Sequence, residues 1–244
     1  MVADRAEAVR SLFDRIAPVY DEFNDRLSFG LHRIWKRMAI NGCGARRGDR
    51  ALDLCCGSGD LSLLLAQTVA RSRAGDRVGS VTGLDFSANL LAAARRRAAR
   101  SPWGDAITWI EGDVLDLPFA DGTFDCATMG YGLRNVVSIP QALAQVRRVL
   151  RPGGSVAILD MHRPEGPWMR QFQRWYLDAI VVPAAADCGL TDDYAYIWPS
   201  LEQFPTGPQQ VALARAAGFD RAVHYPIAGG MMGLLVATVE GEKP

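Results

Sequence analysis

The sequence has no charge imbalance: 27 Lys and Arg stand against 27 Asp and Glu, for a formal net charge of zero over 244 residues. No global pull toward nucleic acid or anionic lipid follows, so a nucleic-acid partner is not expected. Long apolar runs are missing too; none approaches the ~18 residues of a membrane span. Histidine occurs three times and cysteine five, two of them adjacent (Cys55, Cys56), with no C-x-x-C pair. Metal-ligand spacing is therefore absent, and the cysteines read as free thiols in a reducing compartment. The charged opening, Met1–Arg10, does not read as a secretory signal. Repeats and low-complexity linkers are lacking as well. The Arg-rich run Arg95–Arg100 is best explained as a helix face.

What is present is an alternation. RALDLCC, SVTGLDF, AITWIEGD, FDCATMG and SVAILDM are short apolar runs. Helical spacing separates them over Asp60–Arg71, over the Ala/Arg-rich stretch capped by Ser87, and over Ile139–Leu150, which stops at RPGG. Strand, helix, strand, repeated, predicts an α/β fold: a parallel sheet with helices on both faces. Near the end, FDRAVHYPI and MMGLLVATVE flank AGG and read as an antiparallel hairpin after a helix near Gly207–Ala217. One domain is expected, with a helical lid over 1–45, a ligand-binding core over 46–162, a helical insertion on the substrate side over 163–218 and the hairpin over 219–240.

The turn after the first strand reads Asp53-Leu-Cys-Cys-Gly57-Ser58-Gly59-Asp60. Glycines there let a ligand approach the backbone, and the helix N-terminus favours polar or anionic groups. A dinucleotide fold wants G-x-G-x-x-G, and the third glycine is absent. Instead, acids mark three successive strand ends. Asp53 suits a cationic ligand tail. Asp85, beside Phe86, is placed for a ribose. Asp113 can accept from an adenine amino group, with Val114 against the ring. Together they fit S-adenosylmethionine, whose methionine end carries an amine and a sulfonium. Nicotinamide binding is the competing reading.

FDRIAPVYDEFNDRLSFGLHRIWKR, DLCCGSGD, LPFADGTFD and YGLRNV resemble the ubiquinone/menaquinone C-methyltransferases, over nearly the whole chain. WYLDAIVVPAAADCGLTDDYAYIWPSLEQFPTGPQQ and HYPIAGGMMGLLVA resemble that family's phylloquinone branch. The resemblance implies a class I (Rossmann-like) methyltransferase fold of seven mostly parallel strands. It also implies C-methylation of reduced 2-phytyl-1,4-naphthoquinone by S-adenosylmethionine, with no metal. Its donor positions fall on Ser58, Asp85, Asp113 and Val114. A position often serine is Gly130 here, which loses a side-chain hydrogen bond. Demethylmenaquinone methylation is the alternative of the same chemistry, and a non-catalytic donor-binding scaffold is the alternative of another class.

On the acceptor side, Arg134 is expected beside the donor pocket, where its permanent charge can stabilise a developing phenolate while Asn135 orients the same oxygen. The competing reading pairs Arg134 with Asp21 or Asp160. His162 is a candidate base, standing where the family's LEFSKP-like segment becomes LDMHRP; His224 is another, and His32 reads as structural. Tyr20, Asp21 and Asn24 are expected in a lid that excludes water, with Tyr20 near the chemistry and Tyr131 beside the substrate. Trp168 and Tyr176 belong to an aromatic segment that lines a tail channel, docks on a membrane or packs as core. Since the substrate is lipophilic, the protein is expected in the cytoplasm, with peripheral contact at a photosynthetic or plasma membrane; oligomeric state is left open.

Overall fold

The computed structural model describes Ser28 and residues 30–70, 78–186 and 196–241. The expected lid residues Tyr20, Asp21 and Asn24 lie outside them. Seven strands form one sheet: β1 (Arg50–Leu54), β2 (Ser80–Asp85), β3 (Ile107–Glu111), β4 (Phe124–Gly130), β5 (Leu150–Met161), β6 (Arg221–Ile227) and β7 (Met232–Thr238). Their spatial order is β3-β2-β1-β4-β5-β7-β6. All neighbours are parallel except β7, which runs antiparallel to both β5 and β6. The expected parallel sheet and terminal hairpin are both present.

The helices are α1 (His32–Gly42), α2 (Asp60–Val69), α3 (Ala88–Ala98), α4 (Ile139–Val149), α5 (Pro167–Tyr176), α6 (Val182–Ala186), α7 (Ile197–Gln203) and α8 (Gly207–Ala216), with a π-helical turn over Leu177–Val181 between α5 and α6. Local chemistry sets their starts. Ser87 Oγ accepts from the Leu90 N–H at 3.1 Å, and Ser138 Oγ from Gln141. Thr206 and Gln209 form a reciprocal capping box on α8.

Strand side chains alternate between two cores. Leu52, Leu54, Met129, Val156 and Ile158 face α4 and α8, where Leu143, Val146 and Ala214 pack. Ala51, Cys126, Ala157 and Leu159 face α1 and α2, where Ala39, Leu65 and Val69 pack. This parity decides which strand-end side chains meet the site.

Two boundaries differ from the sequence reading. β1 ends at Leu54, because Cys55 takes a positive φ of 51° and turns the chain. β5 begins at Leu150, so RPGG joins the strand: Gly153 N–H donates to Val239 O, and Val239 N–H donates to Gly154 O, both at 2.9 Å. The hairpin partner recruits residues whose composition alone signals a turn.

Two glycines are required by close approach. A Cβ on Gly83 would sit 2.7 Å from two atoms of the Trp109 ring, and one on Gly59 would sit 2.7 Å from the same ring. The indole of β3 is thus wedged under the β1–α2 loop. Gly83→Ala should therefore lower stability by about 1–3 kcal/mol. Urea unfolding should show a lower midpoint at an unchanged slope.

Candidate active site

The β1–α2 loop is built from left-handed residues: Cys55 at φ 51°, Gly57 at 54° and Gly59 at 87°. It is anchored from below. Cys56 N–H donates to Leu84 O at 3.0 Å, and Gly59 N–H to Cys56 O at 2.9 Å. Asp85, at the end of β2, closes it from the side. One of its oxygens accepts from Gly57 N–H at 2.8 Å and the other from Ser87 N–H at 2.9 Å. A carboxylate offers about four acceptor sites, so one group can hold the loop and still meet a ribose. At the end of β3, Asp113 Oδ1 accepts from Leu115 N–H at 2.9 Å, which fixes the turn that carries Val114.

These turns enclose one cleft over the switch point between β1 and β4, where the strand order reverses. Gly57, Asp85, Phe86, Asp113 and Val114 line one half of it; Gly130, Tyr131 and Asn135 line the other. The sequence had named all of these. It missed Cys55, Leu90, Gly132 and the apolar wall of Leu115, Val136 and Val137. The signal for part of that wall was present, since Gly132 and Val136 belong to the YGLRNV run and Val137 follows it. Gly132 is there for contact: a Cβ would sit 2.7 Å from Cys55 Cβ. A Cβ on Gly130 would sit 2.7 Å from Leu61 Cδ1, so Leu61 occupies the space a serine side chain would need.

Other expected site residues are elsewhere. Ser58 is buried at the loop and does not line the cleft, and Gly59 shapes the turn instead of touching the cleft. Asp53 does not line the cleft. It has 0% exposure, on the α1/α2 face of the sheet, where Ser62 Oγ donates to it at 2.6 Å and Thr128 Oγ at 2.9 Å. Burial raises its pKa to about 7 against the opposing pull of those two hydroxyls. Cys55 and Cys56, which follow this acid in the chain, are held as neutral thiols by burial and by nearby carboxylates.

Arg134 takes the Asp160 alternative. Its backbone N–H donates to Asp160 Oδ2 at 3.0 Å, its Nε lies 3.6 Å from Asp160 Oδ1, and its Nη1 donates to Ser200 of α7. Both side chains are buried, and the guanidinium is not part of the cleft wall. Burial raises the Asp160 pKa while Arg134 opposes that rise. Asn135 lines the cleft, but its amide donates to Tyr131 O at 3.0 Å and so holds Tyr131 at a φ of 59°.

His162 is not at the donor cleft. It lines a separate cavity of about 560 Å³ between the β5–α5 connection, the start of α8 and the β6–β7 hairpin, together with His224. Gln210 Nε2 lies 2.9 Å from both His162 Nε2 and Pro205 O. An amide NH₂ only donates, so His162 Nε2 is an acceptor, with His224 Nε2 at 3.2 Å. Burial, then the neighbouring His224, lowers the His162 pKa to about 4. It is a buried, neutral side chain outside the donor cleft. Trp168 is 84% exposed and lines neither cavity, and Tyr176 packs beside Leu177 and Val181.

The model of the ubiE/COQ5 methyltransferase family matches residues 1–239. The chain belongs to the ubiE/COQ5 methyltransferase family. Its methyl donor is S-adenosylmethionine, and the cleft fits it: a left-handed backbone cradle, a carboxylate for a ribose and an acid with an apolar wall for an adenine. The methyltransferase is 57% identical over 228 residues to a protein of Trichormus variabilis called 2-phytyl-1,4-naphtoquinone methyltransferase, covering 93% of this chain and 97% of that one. It is 50% identical over 231 residues to the chloroplastic 2-phytyl-1,4-beta-naphthoquinone methyltransferase of Arabidopsis thaliana, covering 93% and 86%. Among solved structures it is similar to a SAM-dependent methyltransferase from Aquifex aeolicus, with TM-score 0.60, 16% identity and 84% and 89% coverage. It is equally similar in fold to the cyclase SpnF, with TM-score 0.59, 18% identity and 96% and 95% coverage. The fold alone therefore does not name the reaction.

Asp53 has a folded pKa above its unfolded value, so its contribution to stability is greatest below about pH 4 and is lost as pH rises toward about 7. The stability of Asp53→Asn relative to wild type should rise across that window by up to about 4 kcal/mol, then stay flat; chemical unfolding at a series of pH values measures it. Arg134→Ala strands Asp160 and should cost roughly 3–5 kcal/mol. Adding Asp160→Asn should recover most of that loss in the same unfolding assay.

Proposed function

We propose that the methyltransferase transfers the methyl group of S-adenosylmethionine to a ring carbon of reduced 2-phytyl-1,4-naphthoquinone, the last methylation on the way to phylloquinone. The observation that carries this reading is the 57% identity, over 93% of the chain, to a protein named for that acceptor. When bound, S-adenosylmethionine supplies a methyl group already activated on a sulfonium. The protein is left with positioning and exclusion of water. Gly57, Asp85, Asp113 and Val114 would hold the donor. Tyr131 and Asn135, at the β4 end of the cleft, would face the acceptor.

Arg134 serves this reading as a positioning residue. It clamps the Tyr131–Asn135 turn to the end of β5 through Asp160, and to α7 through Ser200. The acceptor must supply its own electron density. A deprotonated naphthoquinol hydroxyl pushes charge onto the adjacent ring carbon, whereas the oxidised quinone cannot. The acceptor is lipophilic, so the enzyme meets it at a membrane; the chloroplastic relative suggests a photosynthetic one.

Incubation with methyl-labelled donor and 2-phytyl-1,4-naphthoquinone, with and without dithionite, tests the reading. Label should enter the ring only with reductant present. Equal labelling without reductant would contradict the quinol requirement, and no labelling with donor binding intact would remove this acceptor. A polyprenyl acceptor run in parallel measures tail selectivity.

A further inference from the structure

Helix α5 has two unlike faces. One is buried: Gln173 Nε2 donates to His162 O at 2.8 Å at the end of β5, and the following turn packs Leu177 and Val181 on Leu201 and Met161. The other carries Trp168, Phe172 and Trp175, with 84, 46 and 55% of their surfaces exposed. Residues 168 and 172 are one turn apart, and 175 follows at i+3, so the three side chains form one stripe. Phe172 lies 5.8 Å from the Trp175 ring and stacks on Tyr176 at 6.3 Å. Met169 and Ile180 extend the apolar margin.

The charges around the stripe are matched locally. Glu202 takes both Arg170, at 2.6 Å, and Arg163, at 3.0 Å. Arg174 lies 3.7 Å from Asp178 and over the ring of Trp198. With the exposed Glu165 just before the helix, three arginines stand against three acids, and the surround is polar without a net sign. Such a surface has little attraction for an acidic or a basic protein. The three rings together expose on the order of 400 Å², about half of what each partner of a stable protein interface contributes (~800 Å²). The face is a single convex helix, which offers no groove to seat a peptide.

A tryptophan-rich helical stripe edged by neutralised arginines is suited to the boundary between lipid headgroups and acyl chains. We propose that this face of α5 is where the protein rests on an uncharged lipid bilayer, with Trp168, Phe172 and Trp175 inserted into that boundary. The proposal rests on the reading of a lipophilic acceptor. It adds the place of entry: the opposite face of the same helix touches the end of β5, so the bilayer and the acceptor side of the sheet are separated by about one helix diameter, ~10 Å. Among the described residues no helix is long and apolar enough to cross a membrane.

The test compares wild type with Trp168→Ala/Phe172→Ala/Trp175→Ala. The probes are phosphatidylcholine vesicles with and without added phosphatidylglycerol, at low and high salt. Wild type should co-sediment with all of them to a similar extent. The variant's vesicle affinity should fall roughly tenfold or more, and labelled methyl transfer to vesicle-embedded 2-phytyl-1,4-naphthoquinol with it, while transfer to a short-tailed naphthoquinol in solution stays within about twofold. Unchanged thermal stabilisation by the donor shows that the variant is folded. Binding by the variant equal to wild type would overturn the proposal. So would binding that needs anionic lipid and vanishes in salt, because the attachment would then be electrostatic. A wild-type dimer that the variant loses, without vesicle binding, would assign the stripe to a second copy and also overturn it. Stripe-dependent vesicle binding without methylation of either naphthoquinol would support the docking surface and sink the acceptor reading instead.

Discussion

Asp85 is the side chain on which the donor half of the molecule depends. It ends β2, yet its oxygens hold the backbone of Gly57 in the preceding loop and of Ser87 at the start of α3. One carboxylate thus fixes the loop above β1 and the entry to the next helix. The loop needs that support because Cys55, Gly57 and Gly59 all stand in the left-handed region, a conformation costly for a residue with a side chain. Trp109 completes the arrangement from beneath, pressed against Gly59 and Gly83. Lys36 of α1 and Arg97 of α3 meet Asp60 just beyond the loop. Burial would raise the Asp60 pKa, but these two cations outweigh it and hold it below the usual carboxylate range.

The β4 side of the cleft is organised by a second buried carboxylate. Asp160 draws the turn after β4 against the end of β5, and the same guanidinium that balances it reaches α7. The charge of Arg134 is therefore used to fix where Tyr131 and Asn135 stand. This division suits a reaction whose leaving group is already good: it demands geometry more than proton transfer.

The strands were legible because each is a short apolar run buried between two helical layers, and the terminal hairpin because AGG supplies consecutive left-handed residues. The cleft was legible where its residues stand past a strand end. Asp85 and Asp113 close β2 and follow β3, and both line it. Asp53 looked equivalent but lies inside β1, two residues before the turn at Cys55, and strand parity sends it toward α2. Its partners Ser62 and Thr128 are nine and seventy-five positions away, so nothing local announced them. The same holds for His162. Its chemistry suggested a base, but it stands outside the cleft, buried against Gln210 and His224, which α8 and β6 bring in. Arg134 is expected beside the donor pocket, and it stands in the turn just past β4 that borders it. Whether its charge faces the cleft or an acid behind it depended on Asp160, which the sequence offered only as one of two partners.

The central claim is that Asp85 binds the donor and holds the loop that receives it. Calorimetric titration of wild type and Asp85→Asn with S-adenosylmethionine and with NADH tests this most directly. The account predicts wild-type binding of S-adenosylmethionine and not of NADH, with affinity weakened by roughly tenfold or more in the variant. Equal donor affinity in the variant, or a wild type that prefers NADH, would contradict it.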